Sequence, residues 1–369
     1  MSITILRGNA LALPLADSSV DLVVTSPPYW SLRAYQDNGE AYEGQIGSES
    51  TAAEFIDNLI AVTRELVRVL KPSGSIFVNL GDKMADKSLM LLPERYRIRA
   101  VDELGLIARA VVIWSKPNGL PASVTDRVRR SHEDWVHLTK QPRYFSAVDE
   151  IRLPHKSEPG REGVGALGGQ KTLRPVGPNS GSYNPLGALP GSVWTVPTEP
   201  LRVPDELGID HFAAFPTEFP RRLITGWSPR EVCTACGEGR RPVSERTITG
   251  DRGGRKFNVL DPSTRGVDTQ RLGTEGVYQL TGYAYACACP DTSAPATPGV
   301  VLDVFGGTGT TALVADVLGR DGITVDLSAD YCRLAQWRTT DPKQRAKAAR
   351  VEPVDAHSPD QPDLFGDPA

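Results

Sequence analysis

The sequence has few cysteines, no excess of positive charge and no long apolar run. Its 369 residues include only five cysteines, and four of these fall in two close pairs, Cys233/Cys236 and Cys287/Cys289. That usage suits a reducing cytosol and a metal better than a disulfide framework. No apolar run is long enough to span a bilayer and no secretory leader is present, so a cytoplasmic protein with no membrane partner is expected. The formal net charge of −4 argues against a wholesale basic nucleic-acid binder but leaves room for a local basic cleft. No internal repeat is found. Glycine and proline are plentiful (35 and 30), which predicts long irregular loops. The length allows one large α/β domain with insertions, or two domains.

Two stretches stand out. Val20-Asp21-Leu22-Val23-Val24 is a β-branched run that predicts a buried strand. Thr25-Ser26-Pro27-Pro28-Tyr29-Trp30 follows it. The two prolines have no N–H to donate and fix φ, so the chain leaves the strand as a stiff extended turn with free carbonyls. A small hydroxyl, free carbonyls and two aromatic rings make a receptor for a flat, amino-bearing ring. Such turns at the carboxyl ends of strands are where open α/β sheets hold ligands. The plainer reading is a strand followed by a proline turn. The second stretch, Val300 to Ala312, runs from an apolar strand through a glycine-rich turn into a helix. Gly307, Gly309 and Ala312 satisfy a dinucleotide fingerprint, and Asp326 ends the next strand where an acid accepts from a ribose diol. Alone, this stretch leaves nicotinamide and S-adenosylmethionine both open.

Together the two narrow the choice. Val24-Thr25-Ser26-Pro27-Pro28-Tyr29 resembles the catalytic motif of the amino-group DNA methyltransferases, in the Ser-Pro-Pro-Tyr form typical of cytosine-N4 enzymes. Adenine-N6 relatives more often carry Asp or Asn in place of Ser26. Asp303-Val304-Phe305-Gly306-Gly307-Thr308-Gly309-Thr310-Thr311 resembles the same family's cofactor loop. The catalytic turn precedes the cofactor loop, which resembles the β-type order. The likeness covers roughly residues 3–150 and 193–338. It implies a Rossmann-like α/β sheet with circularly permuted motif order and S-adenosylmethionine as cofactor. Ser26, Pro27, Pro28 and Tyr29 are then catalytic, and Asp303, Phe305, Gly306, Gly307, Thr308, Gly309, Thr310, Thr311 and Asp326 hold the cofactor. Asn9 stands where the family has an acid after the first strand. Phe215 and Pro216, within His211 to Ile224, resemble the motif beside the cofactor's methionine end, with Thr217 as helix N-cap.

The implied domain plan is a catalytic half (1–150), a target-recognition segment (151–192), a cofactor-flanking segment (193–232), a zinc-knuckle insertion (233–290), the cofactor-binding half (291–339) and a disordered tail (340–369). Thr51 and Glu54 predict a capping box opening a helix over 51–70, which Lys71 to Gly74 would end before a strand at 75–80. A helix is expected over 94–105, and strands over 106–114, 135–140, Tyr144-Phe145 and 193–197. Residues 31–50 read as a loop and candidate lid. Arg127, Arg129 and Arg130 are the densest positive charge and would hold DNA phosphates, although a solvated face is an equal reading. Lys156, Arg161, Lys171 and Arg174 make the recognition segment locally basic. Cys233, Cys236, Cys287 and Cys289 would close a structural zinc site; an all-cysteine site leaves no open position for catalysis. Cys332 reads as core packing. Gln361-Pro362-Asp363-Leu364-Phe365 resembles the peptide by which bacterial replication proteins dock on the sliding clamp.

The resemblance implies direct methyl transfer onto a flipped-out cytosine in double-stranded DNA. A bacterial or phage origin and a cognate restriction endonuclease are expected with it. No Pro-Cys pair is present, which disfavours a C5-cytosine enzyme. The rivals are adenine-N6 transfer, a nicotinamide-dependent enzyme and a non-catalytic, zinc-stabilised DNA-binding protein.

Overall fold

The run at 20–25 forms β2 (Val20–Thr25), buried along its whole length. A strand apolar on both faces belongs inside a sheet covered on both sides. The computed structural model describes residues 2–31, 36–37, 40–41, 44–119, 124–155, 186–209, 214–249, 277–289 and 293–350. In it β2 is central in an eight-stranded sheet. The order is β1 (Ile3–Arg7), β16 (Asp321–Asp326), β15 (Val300–Asp303), β2, β5 (Leu70–Leu80), β9 (His132–Thr139), β8 (Ile107–Ser115) and β10 (Val193–Thr195). The strands from β1 to β5 are parallel, and β9 runs against both its neighbours. Val301 and Leu302 of β15 pair with Leu22 and Val23 of β2. The two anchor stretches, far apart in sequence, therefore leave the sheet side by side at one edge.

Alternating residues of these strands feed two cores. Val23, Ile76, Val78 and Leu302 pack under α1 (Ala52–Val69) and α2 (Leu92–Leu104), against Phe55, Leu59, Leu66 and Tyr96. Leu22, Val24, Phe77 and Val301 face α3 (Glu218–Trp227), α4 (Thr310–Val317) and α6 (Pro342–Ala349), through Phe219, Leu223, Leu313 and Ala348. Each such side chain contributes about 2 kcal/mol of burial. The Thr51/Glu54 capping box is formed reciprocally at 3.2 and 3.0 Å, an interaction of about 1 kcal/mol. The helix α5 (Ala329–Thr340) packs on β1 and β16, and its Cys332 thiol faces the Leu6 and Asp326 carbonyls.

Three expectations are corrected and a fourth is refined. Residues 71–74 do not separate helix from strand: β5 starts at Leu70, and its pairing jumps from Val20↔Leu70 to Leu22↔Ser75. The resulting bulge is pinned by Lys71, whose Nζ lies 2.8 Å from both carboxylate oxygens of Asp21. Tyr144 and Phe145 form no strand; Phe145 is buried and spends its N–H on the Ser73 carbonyl. Thr217 is the N-cap residue of α3 as expected, but its side chain makes no cap hydrogen bond; its N–H and hydroxyl both donate to Glu199. The tail is helical to residue 349: Asp341 caps α6, Pro342 opens it and Arg345 pairs with Asp316 at 2.5 Å. Asp before Pro is a regular helix start, and that signal was in the sequence.

Smaller ribbons pair β3 (Gln36–Asp37) with β4 (Glu40–Ala41) and β6 (Met84–Ala85) with β7 (Ser88–Leu89). Two others pair β11 (Glu231–Cys233) with β14 (Ala296–Pro298), and β12 (Arg241–Thr249) with β13 (Val277–Ala286). In the segment 151–192, Leu153 and Ala188 bridge the two described ends. Lys156, Arg161, Lys171 and Arg174 lie outside the described residues, as do His211, Phe212, Ala213 and the Gln361–Phe365 peptide. No described helix is long and apolar enough to cross a membrane.

Candidate active site

A cleft opens where β1, β2, β15 and β16 end, about 770 Å³ including its mouth. Ser26 and Pro28 of the proline turn line it together with Val304, Phe305 and Gly307 of the glycine loop. Asp326 and Leu327 close it after β16, Gly8, Asn9 and Ala10 after β1, and Tyr331 from α5. Gly44, Gln45 and Ile46 complete one wall from the loop expected as a lid. That loop is held by Glu49, which accepts from Gly47 N–H and Asn58 and whose carbonyl takes the Trp30 indole N–H.

The floor is shaped by backbone. Gly307 has φ +49°, and its N–H donates to Asp326 Oδ2 at 2.8 Å while Ser328 N–H donates to Oδ1 at 2.9 Å. The Asp326 carboxylate is thus oriented at the strand end. The Asn9 side-chain oxygen accepts from Leu11 N–H at 2.9 Å, so Asn9 both lines the cleft and builds the turn after β1.

The other residues of the glycine loop work behind the cleft. Asp303 is fully buried and accepts from Thr25 Oγ1 (2.6 Å), Thr311 Oγ1 (2.8 Å) and Phe305 N–H (3.1 Å). Burial raises its carboxyl to about 6 against these three donors. Through Asp303 the β2 end, the loop and the start of α4 are tied into one unit. Thr308 and Thr310 receive Arg338 Nη1 at 2.5 and 2.6 Å, beneath the loop. None of Asp303, Gly306, Thr308, Gly309, Thr310 and Thr311 is among the lining residues. Phe215 and Pro216 also stay out of the lining; Phe215 sits edge-on to Trp135 in the second core, ring centres 5.4 Å apart.

Pro27 is buried and Tyr29 lies beside the cleft rather than in its lining. Tyr29 is fixed by residues that were not expected. Its hydroxyl donates to Glu133 Oε2 at 2.7 Å and accepts from Asn79 Nδ2 at 2.9 Å. Asn79 Nδ2 also reaches Glu133 Oε2 (3.0 Å) and Ser26 Oγ (3.5 Å). Lys116 binds the other oxygen of Glu133 and stands 4.0 Å over the Trp114 ring. Burial and the Glu133 charge push the Tyr29 phenol well up, so it stays protonated and donates. Behind the ring, a Cβ on Gly81 would come within 2.6 Å of it. The sequence held one hint of this cluster: Asn79 interrupts the apolar run of β5 at its carboxyl end. Arg130 approaches Gly81 beside this cluster, whereas Arg127 is exposed and Arg129 bonds the Gly119 carbonyl at 2.6 Å. Of the four paired cysteines, Cys233, Cys236 and Cys287 converge.

The sequence model of the N6/N4 DNA methylases matches residues 20–233 and 293–337. The chain is 36% identical over 160 residues to the Type II methyltransferase M.SfiI of Streptomyces fimbriatus, covering 39% of this chain and 37% of that one. It is 31% identical over 252 residues to M.Cfr9I of Citrobacter freundii, covering 60% and 71%. In fold it is similar to the PvuII DNA methyltransferase (cytosine-N4-specific), with TM-score 0.57, 17% identity, and coverage of 95% and 92%. The chain belongs to the N6/N4 family of DNA methylases.

Proposed function

We propose that the protein transfers the methyl group of S-adenosylmethionine to the N4 amino group of cytosine at a specific site in double-stranded DNA. One observation carries this reading: Ser26 of the proline turn and Phe305, Gly307 and Asp326 of the glycine-loop side line the same cleft. An amino-group acceptor and a nucleoside-binding wall share one space.

The lining suits the cofactor. Phe305, Ile46 and Tyr331 offer apolar and aromatic surface for adenine, Asp326 an oriented carboxylate for ribose hydroxyls, and Gly8 and Gly307 close backbone approach. Bound there, S-adenosylmethionine supplies an electrophilic sulfonium methyl. Ser26 Oγ and the Pro27 carbonyl accept from the cytosine amino group and aim its lone pair at the cleft. Tyr29, locked by Glu133 and Asn79, presents a fixed ring on which the flipped base stacks. Alignment supplies most of the rate, and no covalent intermediate with the protein is needed. Arg130, which with the Tyr29 ring crowds the Gly81 Cβ position, takes a phosphate of the flipped nucleotide in this reading.

The test is mass spectrometry of nucleosides from DNA incubated with the protein and isotope-labelled S-adenosylmethionine. Label is expected in N4-methylcytosine, with Ser26→Ala reducing it at least about 10-fold, the loss of a hydrogen bond made to the reacting group. Label in N6-methyladenine would keep the mechanism and discard the reading of Ser26. Label in 5-methylcytosine, or in no base, would overturn the proposal.

A further inference from the structure

The family match breaks between residues 233 and 293, and the break holds three of the four paired cysteines. About fifty residues separate Cys236 from Cys287, yet the structure brings them together. The sulfurs of Cys233, Cys236 and Cys287 all lie within 4.8 Å of one another. A tetrahedral zinc with bonds of about 2.3 Å places its sulfurs about 3.8 Å apart, so a small closure completes such a set. All are free thiols. An odd cluster of three cannot be used up by one disulfide.

The turn around the first pair is tight and internally bonded. The Cys233 carbonyl accepts from Gly237 N–H at 2.8 Å, and Cys233 N–H donates to the Glu238 carbonyl at 2.9 Å. Gly237 takes φ +73°, which a side chain would strain. Ala288 N–H reaches Glu238 Oε2 at 3.3 Å, which docks the Cys287 segment on this turn. Cys289 lies two residues further along the same segment.

We propose that Cys233, Cys236, Cys287 and Cys289 bind one structural zinc ion, with Cys289 rotating in as the fourth ligand. The site has a mechanical position. Cys233 ends β11, whose partner β14 leads through Gly299 directly into β15 and the glycine loop. Cys287 follows β13, whose Ala286 pairs with Arg241 at the root of the β12–β13 ribbon. The ion therefore clips the base of this inserted ribbon where the chain re-enters the central sheet. This inference is independent of the methyl-transfer reading, since its test reads metal and not activity.

The full-length protein, purified without chelators, is assayed for metal by mass spectrometry and titrated with a mercurial reagent. One zinc per chain is expected, released as the four thiols react. Cys236→Ser and Cys287→Ser are expected to lose the zinc, while Cys332→Ser keeps it, because the Cys332 thiol faces the Leu6 and Asp326 carbonyls and is not part of the cluster. Cys289→Ser is expected to bind zinc at least 10-fold more weakly in chelator competition. If a variant fails to fold, wild-type protein loaded with cobalt(II) gives the thiolate charge-transfer bands of a four-sulfur site. The proposal is overturned by folded wild-type protein that neither carries zinc nor takes it up, by iron in its place, or by Cys289→Ser with unchanged affinity.

Discussion

Replacing Glu133 with alanine is expected to lower kcat for methyl transfer about 10- to 100-fold, a barrier increase of about 1.4–2.7 kcal/mol. The affinity for S-adenosylmethionine is expected to hold. Glu133 is the node of the cluster: one oxygen takes the Tyr29 hydroxyl and Asn79, and the other takes Lys116. Its side chain is 12% exposed and that of Lys116 is 20%, so removing it strands a mostly buried ammonium and two polar groups. Tyr29 then loses its fixed angle, and Asn79 its position 3.5 Å from Ser26 Oγ. Because Glu133 does not line the cleft, the residues proposed to hold the cofactor stay intact. Glu133→Gln separates positioning from charge. Its amide oxygen still accepts from Tyr29, so it is expected to recover most of kcat, and a merely destabilised enzyme would show no such ranking. Single-turnover rates on genomic DNA, with calorimetric titration of the cofactor, decide the matter. Equal losses in kcat and cofactor affinity, or a fully active alanine variant, would remove Glu133 from the site.

This cluster also shows where sequence reading stops. The proline turn, the capping box and the glycine loop are local, each set by residues within a few positions, and the structure contains all of them. Glu133 meets Tyr29 only because β9 runs antiparallel beside β5, which pairs Asn79 with Trp135 and Leu80 with Asp134. Nothing local to Glu133 encodes that register. The loop threonines mislead for the opposite reason. Thr308, Thr310 and Thr311 have the look of ligand contacts, but Arg338, some thirty residues on, and Asp303 draw their hydroxyls inward. Even the family resemblance does not distinguish residues that touch a ligand from those that hold the loop in shape. Phe215 is legible as part of a motif, yet its ring serves the aromatic core around Trp135. The tail helix is poorly legible although its Asp-Pro start is visible, because its charged, alanine-rich surface shows little apolar periodicity.

Gly306→Ala is expected to abolish tight cofactor binding, weakening it at least about 10-fold, although Gly306 itself faces away from the cleft. A Cβ at this position would lie 1.5 Å from Thr324 Oγ1 and 2.9 Å from Thr324 Cβ. No rotamer relieves a clash with Cβ, so the loop must lift off β16. It is stitched there by Gly306 N–H to the Val325 carbonyl (3.0 Å) and Gly307 N–H to Asp326 (2.8 Å). Lifting breaks both and turns Asp326 out of its orientation in the cleft wall. Overpacking of this kind costs about 1–3 kcal/mol, which lowers Tm by about 2–10 °C in a domain of this size. The second substitution Thr324→Ala removes the nearer atom and is expected to restore part of both losses. Gly105→Ala serves as the control. Gly105 has a positive φ (+64°), and nothing lies within 4 Å of its Cβ position. It is expected to cost about 1 kcal/mol of stability and nothing in cofactor affinity. If Gly306→Ala binds S-adenosylmethionine like the parent, the cofactor does not rest on the wall formed by Gly307 and Asp326. The shared cleft would then have to be assigned to another ligand.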